Sequence, residues 1–196
     1  LGRIYKKYGD LYYSESKNRK KPHEKRVQYK TNVLENYLLA YQFYNINGKV
    51  PFQLLNLIGD VHRENGNIEK AYDYYFKSLE YAQKYQVNFY SLNYSKMQLA
   101  GLFQKDKKYQ QSNILLLEAY DYFNEIKSFN GLYHIIGYMI VNYSYMNLPK
   151  EIYKHYEYYI ELAENMGDYF LVGCYSNLYQ SFGRIGDEEL KFKYKE

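Results

Sequence analysis

A helical pattern that breaks at a turn and then restarts recurs along the 196 residues with a period near forty, and few architectures can accommodate it. The clearest copy is IGDVHRENGNIEKAYDYYFKSLEYA, Ile58 to Ala82. Its first helix carries Gly59, where another helix can approach closely. The pattern breaks at Asn65-Gly66-Asn67, and Ile68, Ala71, Tyr75, Ser78, Leu79 and Ala82 then recur at helical spacing. Later copies place Ala100, Ile140 and Tyr179 in the slot of Gly59, and Ala119 and Tyr159 in the slot of Ser78. The first-helix slots are 41, 40 and 39 residues apart, and the second-helix slots 41 and 40. Each hairpin is apolar on more than one face and cannot bury itself alone, so neighbouring copies must stack.

The fold class expected from this spacing is all-α: a right-handed superhelical solenoid of antiparallel helix hairpins, with about nine or ten helices. The hairpins are predicted at about 1–45, 51–85, 88–127, 129–166 and 168–196, the last one cut short. The first copy is too long, because Gly9 and Gly59 are 50 residues apart. The surplus falls on KNRKKPHEKR, 17–26, read as a basic insertion in the first turn. Pro22 suits a loop there, and Pro51 and Pro149 suit the first turns of later helices.

Thirty tyrosines and no tryptophan mean that much of the core carries hydroxyls in need of partners or water, which favours a thin, extended fold. The single cysteine, Cys174, excludes an internal disulfide framework and is compatible with a reducing, cytoplasmic setting. His23, His62, His134 and His155 are scattered and no second cysteine exists, so neither a metal nor a cofactor is expected. The most apolar run, IIGYMIV at 135–141, is far shorter than the roughly 20 residues of a membrane helix, and no membrane insertion is expected. The chain opens at Leu1 without an initiator methionine, and is expected to be a fragment with a missing neighbour.

Charge is unevenly spread. Residues 1–30 hold ten Lys or Arg against Asp10, Glu15 and Glu24, whereas the remainder is slightly acidic. Such a cluster can meet phosphates or an acidic partner, but the simpler reading is a solvated turn. Nucleic-acid binding would need a groove-entering element or stacking surface beside it, and the pattern shows neither. No phosphate-binding loop is present, because the glycines of FGRIGD belong to a helix end and a repeat turn. His62 with Glu64, or His155 with Glu151 and Glu157, are pairs that arise by accident on charged helices, so no enzyme is expected.

Leu55, Ile58, Gly59, Gly66, Ala71, Tyr75 and Ser78 together resemble the tetratricopeptide repeat (TPR) signature. The long period is similar to the repeats of kinesin light chains and of bacterial peptide-pheromone receptors. The resemblance implies that the first helix of each hairpin lines a concave surface that takes up a protein or peptide. Projected from the slots, that stripe holds Asn56, Asp60 and Arg63; Met97, Gly101 and Gln104; Gly137, Val141 and Ser144; and Ser176 and Gln180. His134, Tyr145 and Arg184 flank it. Chaperone-binding members clamp a terminal carboxylate with Lys and Asn; Asp60 and Gly101 stand where cooperating residues would be needed, which disfavours that partner. The implied function is a protein- or peptide-binding scaffold. The alternative is the ligand-sensing repeat domain of a bacterial transcriptional or signalling regulator.

Overall fold

The computed structural model describes residues 1–46, 48, 50–85 and 89–195. Among these there are ten helices and no strand. The chain divides into two compact units, Leu1–Ser95 and Lys96–Glu196, each considered by itself.

The first unit contains α1 (Gly2–Lys17), α2 (His23–Ile46), α3 (Phe52–Glu64), α4 (Ile68–Tyr85) and the start of α5 (Phe89–Lys105). α1 pairs with α2, α3 with α4, and α2 also packs on α3. Val33, Tyr37, Ala40, Leu54, Ile58 and Val61 form a buried cluster between these helices. The basic run is divided three ways: Lys17 ends α1, residues 18–22 form the turn, and His23–Arg26 begin α2. Much of the surplus length of the first copy is therefore helix, and α2 reaches 24 residues. Pro22 just before the helix and Glu24 in its first turn favour a start there.

The second unit contains the rest of α5, α6 (Tyr109–Glu125), α7 (Phe129–Tyr145), α8 (Pro149–Met166), α9 (Asp168–Ile185) and the short α10 (Glu188–Lys193). α7 packs on α6, α8 and α9, so consecutive hairpins present their first helices side by side. Pro149 opens α8, and the Ser128 and Asp187 side chains accept from the backbone N–H groups of Gly131 and Leu190 at the starts of α7 and α10.

The repeat register is written into the backbone. Gly66, Lys107, Asn147 and Gly186 all have left-handed φ angles, between 54° and 78°, and each lies seven residues after its slot residue. The next residue closes the turn by donating its N–H to a carbonyl five positions back: Asn67 to His62 at 2.9 Å, Lys108 to Phe103 at 2.8 Å, Leu148 to Tyr143 at 2.9 Å and Asp187 to Phe182 at 3.0 Å. These are Schellman closures, which satisfy carbonyls that a helix end would otherwise leave open. Lys127, between α6 and α7, repeats the device with Ser128 donating to Phe123 at 2.9 Å.

Large residues in the later slots are accommodated by local exchange. Ile140 and Tyr159 are fully buried, and a Cβ added at Gly137 would lie 2.7 Å from the Tyr159 hydroxyl. The volume gained at position 159 is the volume absent at 137. Cys174 is buried, and burial pushes its thiol up to about 12.

Candidate functional site

In the first unit the stripe residues are turned into the packing. Asp60 accepts from the Tyr75 hydroxyl at 2.6 Å and the Tyr94 hydroxyl at 3.0 Å, with Arg63 at 3.6 Å. Asn56 donates to the Ser91 carbonyl at 3.3 Å, and its Oδ1 lies 2.7 Å from the Ser95 hydroxyl. Both side chains are buried. Burial raises the Asp60 carboxyl above its ordinary value, and the Tyr75, Arg63 and Tyr94 contacts pull partly the other way.

The second unit holds an open groove of about 580 Å³ between α7 and α9, with Gln104 of α5 and Tyr159 of α8 contributing to its wall. Gln104, Gly137, Val141 and Ser176 of the projected stripe and the flanking His134 meet here. Rings dominate the remainder: Tyr133, Tyr138, Tyr159, Tyr169 and Phe170. Tyr133 packs against Tyr159 at 4.9 Å between centroids and edge-on to Phe170 at 5.2 Å. Tyr169 and Val172, 79% and 70% exposed, form an apolar rim. The lining contains no Asp, Glu, Lys or Arg.

Polar groups are few and oriented. Gln104 uses its Nε2 on the Tyr138 carbonyl at 2.9 Å and Asn142 Oδ1 at 2.7 Å, which leaves its Oε1 as an acceptor. Asn177 Nδ2 donates to the Tyr159 hydroxyl at 3.0 Å, which leaves the Asn177 Oδ1. The Tyr133 hydroxyl donates to the Phe170 carbonyl at 2.9 Å and ties α7 to α9 across the floor.

Beyond the groove, Arg184 lies 4.3 Å from the centre of the Tyr145 ring, which stacks on Tyr109 at 4.7 Å. Gln180 accepts from Arg184 at 3.2 Å and donates to Ser176 at 3.4 Å, so these side chains continue along α9 from the groove. Met97, Gly101 and Ser144 lie in the packing: Met97 is 4% exposed, a Cβ on Gly101 would meet the Tyr138 hydroxyl at 3.0 Å, and Ser144 donates to the Val141 carbonyl at 2.7 Å. Sequence projection omitted the α9 residues Tyr169, Val172, Gly173 and Asn177. Their signal was available, since Tyr169, Val172, Gly173 and Ser176 follow helical spacing on one face.

The geometry defines a TPR-like solenoid of helical repeats. A kinesin light chain candidate from Podospora anserina with nearly identical TPR-like repeats superposes with a TM-score of 0.72, at 10% identity, over 99% of this chain and 92% of that one. A point-substituted form of the same repeat protein gives 0.75 at 10% identity, over 98% and 91%. BtubC (BKLC) from P. vanneervenii gives 0.71 at 13% identity, over 100% and 88%. At these identities the likeness establishes the fold. No protein-family model and no curated protein matches the sequence. Among the described residues, no helix is long and apolar enough to cross a membrane, and no group of three His, Cys, Asp or Glu could hold a metal ion.

Proposed function

We propose that the chain is a non-catalytic protein-interaction scaffold that receives an extended, uncharged peptide segment of a partner protein in the groove between α7 and α9. The observation that carries this reading is the lining: aromatic rings and amides without one formally charged residue among them. Burying a charged side chain there would cost several kcal/mol without an opposite charge to meet it, whereas apolar anchors would gain about 25 cal/mol per Å² removed from water. Gln104 Oε1 and Asn177 Oδ1 supply acceptors for peptide N–H groups, and the Ser176 hydroxyl adds a donor. The lone, buried Cys174 supports a cytoplasmic setting.

The test is selection from a displayed peptide library, followed by affinity measurement on Ser176→Trp and Val172→Glu. Both positions are exposed, so melting temperatures should stay within a degree or two of the parent. Selected peptides should carry aromatic or aliphatic anchors without charges between them, and each substitution should weaken binding by about tenfold or more. Unchanged affinity in both folded variants would place binding elsewhere.

A further inference from the structure

A second recess, in the first unit, has the opposite character. The end of α1, the following turn and the first turns of α2 enclose about 210 Å³, and the lining holds Lys17, Arg19, His23, Arg26 and Lys30 with no carboxylate among them. Residues 23, 26 and 30 are spaced three and four apart, so α2 presents all three on one face. The turn positions Arg19 from the other side: Asn18 accepts from the Lys20 N–H through Oδ1 at 3.1 Å and from the Lys21 N–H through its carbonyl at 3.0 Å.

Two neighbouring carboxylates face lysines, although the buried Glu15 Oε2 accepts no hydrogen bond among the described residues. Lys17 takes Glu64 at 2.6 Å, and Lys21 takes Glu15 at 3.4 Å. Arg19, Arg26 and Lys30 pair with no carboxylate among the described residues. Arg26 Nε is moreover buried and has no acceptor among the described residues. A buried donor on a charged group without an acceptor is unfavourable, and an anion held beside the Arg26 guanidinium would offset that cost.

We propose that this recess binds a phosphoryl group, carried either by a small phosphate compound or by a phosphoserine of a partner segment. Two guanidinium groups and an ammonium converging without carboxylates suit a dianion with three terminal oxygens, whereas a single carboxylate would answer only one of them. His23, the first residue of α2, brings the positive end of that helix to the same place. Nucleic acid fits less well, because the lining contains no Phe, Tyr or Trp on which a base would stack.

The experiment uses the full 196-residue chain at constant ionic strength and measures calorimetric binding of pyrophosphate and of a phosphoserine hexapeptide beside its unphosphorylated form. Both phosphorylated probes should bind, the unphosphorylated peptide should not, and Arg26→Gln should weaken binding by about tenfold or more. Arg19→Gln, at an exposed turn position, should act in the same direction and covers the case in which Arg26→Gln fails to fold. The exposed Lys105→Gln changes net charge equally and should bind as the parent does. Tighter binding of the peptide assigns the site to a modified partner, and tighter binding of pyrophosphate assigns it to a small phosphate. No binding of either probe below about 10 mM, or equal binding by parent and both arginine variants, would overturn the proposal.

Discussion

The Tyr75 ring lies over Gly59, so close that a Cβ there would come within 2.7 Å of Cε1, and its hydroxyl donates to Asp60 at 2.6 Å. Tyr37 repeats the arrangement on Gly9 and Asp10, with 2.4 Å and 2.8 Å for the same two distances. In both hairpins a Gly-Asp pair on the first helix receives one tyrosine from the second. The glycine admits the ring, and the aspartate satisfies a hydroxyl that would otherwise be buried without a partner.

Gly59→Ala should therefore destabilise the protein by about 1–3 kcal/mol, because the buried ring has little freedom to withdraw and overpacking outweighs the gain in helix propensity. Gly183→Ala is the counterpart. Its Cβ would meet only the flexible Lys191 side chain, at 3.4 Å, so a gain of about 0.5–1 kcal/mol is expected. Urea unfolding of the two variants checks both signs.

Asp60 should make stability pH-dependent in an unusual direction for a carboxylate. Burial raises its folded pKa above the ordinary 3.8. In the window between those values the folded state binds more protons than the unfolded state. Its contribution to stability is thus fully present below the unfolded pKa and is lost as pH rises through the raised folded value. Asp60→Asn should remove this slope, so the stability of the parent relative to the variant should decline as pH rises from below 3.8 through the raised folded value. A difference that rises with pH would show that Tyr75, Tyr94 and Arg63 outweigh burial.

The turn residues give a third check. Lys107 adopts φ 60° in a position where Gly66 adopts 78°. Lys107→Gly should stabilise by about 1 kcal/mol by relieving the left-handed conformation. Gly66→Ala should cost a similar amount, about 1 kcal/mol, although a Cβ there would touch nothing within 4 Å. Thermal unfolding of the pair separates backbone strain from packing.

The all-helical repeat architecture was legible in the sequence, because it depends on spacing and local backbone chemistry, whereas the basic run read as a turn insertion is in part helix. Slots 59, 100, 140 and 179 each precede a left-handed turn residue by seven, whether that residue is glycine, lysine or asparagine. Accessibility along the projected stripe was a different matter. Asp60 and Gly101 occupy equivalent stripe positions, yet one is taken by Tyr75 and Tyr94 and the other lies under Tyr138. The groove depends on rings from α7, α8 and α9 converging with the Gln104 amide, and the basic recess on a turn bringing Arg19 to the α2 face that carries Arg26 and Lys30. Periodicity determines which way a side chain leaves its own helix; what it meets there is decided by side chains of other helices, and only tertiary packing brings those together.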